Sequence, residues 1–388
     1  MARLSVNASK INLLEARFKK EFGQKPSLLL HAPGRVNLIG EHTDYNAGLS
    51  LPCAIDFGLK IGISLRHDDQ LHFISDIDGQ LVKSELGKMP SKDCWTLYPH
   101  GLALEIKEFS PQFSGYNLMV ESNLPVGSGL SSSAALLCGV AQALKNLLKV
   151  ELSDLELCKL VQKVELKYLG KKTGLMDQMA ICLSKEGSAV FIDFKDMSHQ
   201  LIELPSKLNL TIFHTGIHRK LSGSEYNQRV DSCQSACQTL GIESLRDLQV
   251  EDLSSVQKKL DQITFKRVRH VVTENHRVQQ FIEAVNRGIC SQLFLLIQGS
   301  HQSLSKDYEV SGIEIDCLTG IIQDNLGQQG GVRLTGGGFG GCLVALSTLD
   351  SLDEAWPDLK KRYKQQTGLD AKMWSCQSVN GLSRGVYR

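Results

Sequence analysis

From Leu124 to Leu137 the chain reads LPVGSGLSSSAALL: two glycines one residue apart, three serines, then an apolar, alanine-rich run. Gly127 and Gly129 can take backbone angles closed to other residues, and Ser131, Ser132 and Ser133 stand where a helix begins, so that one of them can cap it. The free N–H groups of such a helix start, with the positive end of its dipole, hold an anion. A serine hydroxyl beside them can reach a magnesium ion carried by the same phosphates. An ordinary capped helix after a flexible turn would give the same string, and the stretch alone does not separate the two. Glu165 lies on a helical stripe with Cys158, Val161, Tyr168 and Leu169, where a carboxylate is costly unless it is paired, bound to metal or in water at the stripe's edge. Asp177 interrupts the apolar run from Gly174 to Cys182 on the side of Ala180 and Ile181. It reads either as a site carboxylate or as a structural Asp bonded to nearby backbone. Between His31 and Asp56 the chain packs Arg35, Asn37, Glu41, His42, Thr43, Asp44, Tyr45 and Asn46 among glycines and two prolines. Such a density of hydrogen-bonding groups suits a polyhydroxylated ligand; a solvated loop is the alternative.

Two familiar nucleotide signatures are excluded. Gly170-Lys171-Lys172-Thr173 lacks the glycine frame of a Walker P-loop. Gly336, Gly338 and Gly341 form a G-x-G-x-x-G string that runs into Cys342-Leu343-Val344-Ala345-Leu346, a buried strand where a dinucleotide fingerprint needs a helix.

The elements that must position these residues can be read in outline. An amphipathic helix is expected over 7–22, with Ile11, Leu13, Leu14, Phe18 and Phe22 on one side, then a strand at Leu28–Leu30. Strands are expected over 59–76 and 115–121, with Trp95 and Tyr98 in the connection between them. The capping box Ser153-Asp154-Leu155-Glu156 opens a helix running to about Gly170. Strands at 188–194 and 208–214 bracket a domain boundary near residue 200. Helices around 222–240, 265–286 and 289–304 follow, then a further helix, a strand and the glycine run to Leu346. A helix near 355–366 and a strand near 371–376 close the chain.

At 388 residues the chain can build two domains. Its 43 Lys and Arg nearly cancel 42 Asp and Glu, with no long basic run, which excludes an electrostatic footprint for nucleic acid or membrane. The eleven cysteines are scattered without a C-x-x-C, and no signal peptide or spanning apolar run appears, so a cytoplasmic protein with reduced thiols is expected. The neutral surface permits a monomer.

Three separated stretches carry a resemblance. Gly34 to Pro52, GRVNLIGEHTDYNAGLSLP, resembles the galactokinase signature. LPVGSGLSSSAA (Leu124–Ala135) and LTGGGFGGC (Leu334–Cys342) resemble the second and third motifs of the wider GHMP kinases. GLMDQ (Gly174–Gln178), SEYNQR (Ser224–Arg229) and SHQSLSKDYEVS (Ser300–Ser311) are similar to galactokinase segments as well. The resemblance implies a two-domain α+β GHMP kinase fold, mixed sheets flanked by helices, with the active site in the cleft between domains 1–200 and 201–388. It implies transfer of the γ-phosphoryl of ATP to the C1 hydroxyl of galactose, a step of galactose catabolism, with Mg2+. By the same resemblance Gly127, Ser128, Gly129, Leu130, Ser131, Ser132 and Ser133 would wrap the ATP phosphates, and Ser75 matches a position tied to nucleotide binding. Ser133 and Glu165 would bind magnesium. Arg35 would face the moving phosphoryl group and Asp177 the sugar's C1 hydroxyl. Glu41, His42, Thr43, Asp44 and Tyr226 would hold the sugar, while Gly336 to Gly341 would shape the floor of the site. Thr173 and Leu175 stand where the family usually has Cys and Ile, Leu166 where a polar residue often follows the metal-binding Glu, and Gly312-Ile313 where Cys-Pro is usual. None removes a chemical group. Another acceptor, such as N-acetylgalactosamine or arabinose, and a non-catalytic galactose sensor are the alternatives; Asp177, Arg35 and the uninterrupted serine motif speak against the sensor.

Overall fold

The computed structural model describes residues 13–91, 94–125, 127–217 and 223–384. Its first element, α1 (13–22), is the described part of the helix expected over 7–22; residues 7–12 lie outside the described residues. Leu14 and Phe18 are buried against Leu29, Ile74 and Met119, with Phe22 packed beside them. Leu13, expected on the same side, is instead exposed, because the buried face follows the four-residue step 14, 18, 22.

The N-terminal half is built on a five-stranded mixed sheet in the order β1-β3-β6-β4-β5. Its strands are β1 (Leu28–Asn37), β3 (Pro52–Leu65), β4 (His67–Ser75), β5 (Leu81–Glu85) and β6 (Ser114–Ser122). β1 runs well beyond Leu30, tolerating Pro33 through a register shift between Pro33 and Gly34. The expected strand 59–76 is two strands broken at Arg66, whose guanidinium bonds Asp68 and Asn117, and β6 lies between them in the sheet. α2 (Leu97–Ile106), α3 (Ser132–Leu148), α4 (Asp154–Leu169) and α5 (Met176–Leu183) pack on this sheet and on each other. Ser153 and Glu156 form the expected capping box of α4, which ends at Gly170 in a left-handed conformation. α2 and β5 were not anticipated. α2 is buried nearly all round, so it shows no stripe, and its Pro99 and Gly101 read as breakers. Gly101 is required because the Tyr168 ring of α4 lies 2.7 Å from where a Cβ would stand.

A small sheet of β2 (Leu49–Ser50), β7 (Ser188–Asp193) and β8 (Ser198–Glu203) follows. Residue 200 falls inside β8, and the chain passes to the next sheet over 204–208. That sheet is antiparallel, in the order β10-β11-β9-β12, from β9 (Asn209–His214), β10 (Gly330–Thr335), β11 (Cys342–Ser347) and β12 (Lys372–Cys376). Around it lie α6 (Gly223–Leu240), the single turn α7 (Leu253–Val256), α8 (Gln262–Asn286), α9 (Cys290–Lys306), α10 (Ile313–Leu326) and α11 (Trp356–Thr367). The glycine run 336–341 joins β10 to β11 as a hairpin, not the strand–turn–helix setting that a dinucleotide fingerprint needs. After β12 the chain returns to the first half. Gln377 and Asp56 exchange backbone and carboxylate bonds, Val379 donates to the Ala54 carbonyl, and Leu382 is buried in the N-terminal core. No helix among the described residues is long and apolar enough to cross a membrane.

Candidate active site

A cleft of about 350 Å³ gathers residues from β1, the loop before α3, α4, α5, α6 and the β10–β11 hairpin. In the serine loop, Gly127, Gly129 and Ser131 have φ of 71°, 74° and 64°, alternating with residues outside the left-handed region. Such alternation turns successive N–H groups to one side and makes an anion-binding concavity. The expected serine cap is absent: no side chain caps α3 at Ser131, and the Ser131 hydroxyl donates to Asp177 instead. The first-turn N–H groups of α3 thus stay available to a ligand. The third motif backs this loop. A Cβ on Gly336 would lie 3.0 Å from the Gly129 carbonyl, and one on Gly341 2.9 Å from that of Ser128.

Arg35, near the end of β1 and 4% exposed, joins two parts of the cleft. Its Nε and Nη2 donate to the two oxygens of Asp177 at 2.7 and 3.0 Å, and its Nη1 to the Gly129 carbonyl at 2.8 Å. This fork fixes the plane of the Asp177 carboxylate and ties it to the serine loop. The solvated-loop alternative for the stretch between His31 and Asp56 fails, since Arg35, Asn37, Glu41, His42 and Thr43 are all buried. So does the reading of Asp177 as merely bonded to nearby backbone, since its partners are Arg35 and Ser131.

Glu41, His42, Asp44 and Tyr226 line the same cleft. Glu41 is bound through Oε2 by the buried Arg333 and by the Gly336 N–H at 3.1 Å. His42 sits in a left-handed conformation (φ 62°) with its ring 5.5 Å from Tyr226 and 4.8 Å from Tyr308, and its Nδ1 is 2.9 Å from the Tyr45 hydroxyl. Asp44 is half-buried and presses on Gly174, where a Cβ would fall 1.9 Å from Oδ2. Burial pushes its carboxyl up to about 7, and the nearby Asp177 charge adds to the shift. The folded protein therefore keeps a proton there that the unfolded chain gives up near pH 4, so this group's contribution to stability is lost as pH rises from about 4 to about 7. Asp44→Asn should accordingly melt higher than wild type at pH 8, by at least about 2 °C, and show little difference at pH 4. An equal difference in Tm at both pH values would contradict the shift.

Glu165, on α4, is 3% exposed and makes no ion pair among the described residues. Its Oε2 accepts from Gln178 at 2.7 Å and Thr173 at 3.1 Å. Burial pushes its carboxyl up to about 7 against the opposing pull of Lys171. Glu165 and Ser133 face the same cleft. A buried carboxylate without a cation, beside a hydroxyl and an anion-binding loop, fits Mg2+. That ion takes one or two protein oxygens and completes its shell with phosphates and water. No cluster of three or more His, Cys, Asp or Glu suited to a metal occurs among the described residues.

Three expected site residues do not line the cleft. Ser75, at the end of β4, is buried outside the cleft, with its hydroxyl accepting from the Ile77 N–H at 3.2 Å. Leu130 buries its side chain in the core, and its carbonyl accepts from the Arg35 N–H. Thr43 spends its hydroxyl inside the loop, on the Gly40 and Leu49 carbonyls at 3.0 and 2.7 Å. Conversely, Arg333 and Glu274 gave no sequence signal, each sitting in a strand or helix whose pattern reads as ordinary, while Tyr308 falls in the Ser300–Ser311 segment, which the resemblance covers without giving it a role.

A family model described as the galactokinase galactose-binding signature matches residues 16–65, and models of the GHMP kinase N-terminal and C-terminal domains match 98–185 and 319–365. Lactococcus lactis galactokinase, solved in complex with galactose, is 30% identical, with 97% of this chain and 99% of that one covered and a TM-score of 0.89. Methanococcus jannaschii mevalonate kinase (20% identity, 91% and 98% covered, TM-score 0.62) shares the fold. So does Streptococcus pneumoniae phosphomevalonate kinase, solved with phosphomevalonate and AMPPNP (16% identity, 89% and 99% covered, TM-score 0.63). With the signature on β1 and its loop, both GHMP domains in order and a relative matched over nearly its whole length, the chain belongs to the galactokinase family of the GHMP kinases.

Proposed function

We propose that the cleft transfers the γ-phosphoryl group of ATP to the C1 hydroxyl of α-D-galactose, giving α-D-galactose 1-phosphate and ADP. The observation that carries this reading is the Arg35 fork, which fastens a carboxylate to the serine loop beside the stretch matched by the galactose-binding signature. Phosphoryl transfer asks a protein mainly for positioning and charge stabilisation. The serine loop and the open N–H groups at the start of α3 would hold the phosphates. Arg35 would face the charge spreading over the moving group, and Asp177 would accept the C1 proton. Glu41, His42, Asp44 and Tyr226 would orient the sugar. Ser133 and Glu165 would hold Mg2+, which when bound neutralises phosphate charge. A coupled ADP-release assay with galactose, glucose, N-acetylgalactosamine and arabinose tests the reading. Galactose should be the preferred acceptor, and galactose binding without ADP release would favour a sensor.

The metal assignment has its own test. Glu165→Gln should raise the Mg2+ concentration needed for half-maximal rate by about tenfold or more, since it replaces a charged ligand with a neutral one. An unchanged magnesium titration would leave Glu165 with a packing role only.

A further inference from the structure

The loop that carries Glu41, His42 and Asp44 is held from behind by one face of α8. The Glu274 carboxylate accepts from the N–H groups of Gly40 and Glu41 at 2.9 and 3.3 Å. One turn earlier, His270 Nε2 lies 3.0 Å from the Glu41 carbonyl, and the neighbouring Asn275 side chain accepts from the Leu49 N–H at 2.9 Å. Glu274 is in turn fixed by Ser300 (2.6 Å) and Arg277 (2.7 Å), and Arg333 Nη1 stands 3.8 Å from it. Arg333 also grips Glu41 Oε2 and donates to the Leu334 carbonyl at 2.7 Å. Glu274 and Arg333 are fully buried.

Two buried carboxylates thus flank one buried arginine, and together they set both the main chain and the side chain of Glu41. None of this set except Glu41 lines the cleft. We propose that Glu274 and Arg333 are positioning residues for the acceptor: they hold the Gly40–Asp44 loop in its sugar-receiving shape and thereby set sugar affinity. The inference rests on the galactose reading above. A buried ion pair is a poor source of net stability when compared with apolar packing, but removing one partner leaves the other uncompensated. The strain then falls on the groups that the pair was holding. Here those are the backbone N–H groups of Gly40 and Glu41 and the Glu41 carboxylate. On the side of the serine loop, Glu41 accepts from the N–H of Gly336, which backs the Gly129 carbonyl. Loss of the set should therefore be felt by the sugar far more than by the nucleotide.

The test compares KM values. Glu274→Gln keeps the shape and removes the charge; it should raise the KM for galactose at least about tenfold and move the KM for ATP less than about threefold. Arg333→Lys should lie between wild type and Arg333→Met in galactose KM. A purely structural role would lower the folded, active fraction and hence apparent kcat, with both KM values unchanged. A folded Glu274→Gln enzyme with the wild-type galactose KM overturns the proposal. Should the charge variants fail to fold, Ser300→Ala decides, because its hydroxyl donates to Glu274 and accepts from Arg333 Nη1 at 3.4 Å, the two residues at issue: a rise of about threefold in galactose KM supports the proposal, and none overturns it. Calorimetric titration of the wild type with galactose separates the two levels, since no binding there would overturn the galactose reading itself.

Discussion

Asp177→Asn is expected to lower kcat with galactose by about 10²–10⁴, with both KM values within a few-fold of wild type. The substitution keeps the side chain's size and one carbonyl oxygen but removes the group that would accept the C1 proton. It also changes what Arg35 does. In the native cleft the guanidinium spends two of its donors on Asp177 and one on the Gly129 carbonyl; an amide at 177 accepts with one oxygen only, so one N–H of the fork is released. Binding need not suffer, because the serine loop still has its glycine backbone pattern and its contacts with Gly336 and Gly341. The combination of large kcat loss and small KM change distinguishes a proton acceptor from a residue that merely shapes the pocket. More than about a tenth of the wild-type kcat in the Asn variant would rule out a base of ordinary strength and leave Asp177 as an orienting charge.

The parts of this site that could be read from residues alone were those that break a local pattern. Asp177 and Glu165 interrupt apolar helical runs, and both prove to face the cleft. Gly127 and Gly129 precede serines at a helix start, and both take the left-handed angles that the loop needs. The elements read correctly were likewise those with a strong period or a capping box, such as α4 and α8. Where local pattern carries no information, the reading failed. α2 has no polar face, so its burial erased the helical period. The run after Leu30, dense in polar groups, was not recognised as strand, whereas β1 continues through it to Asn37, with the Arg35 side chain answered by Asp177 and the Asn37 N–H by the Thr335 hydroxyl, both far off in sequence. Glu274 and Arg333 illustrate the same limit more sharply. They lie far from Glu41 in sequence, and only the folding of α8 and β10 against the loop turns two ordinary charges into its support. Ser131 shows the converse: its place at a helix start predicted a cap, but its left-handed backbone (φ 64°) is not the extended conformation a capping residue takes, and its hydroxyl donates to the Asp177 carboxylate across the cleft.

Glucose is expected to be phosphorylated with a kcat/KM below that of galactose by about a thousandfold or more. The two sugars differ only in the direction of the C4 hydroxyl, so discrimination must come from a polar group stranded when that hydroxyl turns away. Among the candidates, Thr43 is spent inside its own loop, and Glu41 has Oε2 committed to Arg333 and Gly336. Asp44 remains the leading group: it is half-buried, lines the cleft and is pressed into place by the bare Gly174 backbone. A site that hydrogen-bonds one hydroxyl can reject an analogue lacking it by roughly 10⁴–10⁵, and water entering the cleft would recover part of that loss. 4-Deoxygalactose should therefore be poor as well, and Asp44→Ala should narrow the gap between it and galactose. Gly174→Ala should act in the same direction while leaving the charge intact, because its Cβ would fall 1.9 Å from the present position of Asp44 Oδ2 and must displace the carboxylate. Comparable turnover of glucose and galactose by the purified protein would sink the galactose assignment and leave a sugar kinase of broader choice. A full thousandfold preference that survives both Asp44→Ala and Gly174→Ala would keep galactose as the acceptor and move C4 recognition to His42 or Tyr226, whose ring centroids lie 5.5 Å apart on the same wall of the cleft.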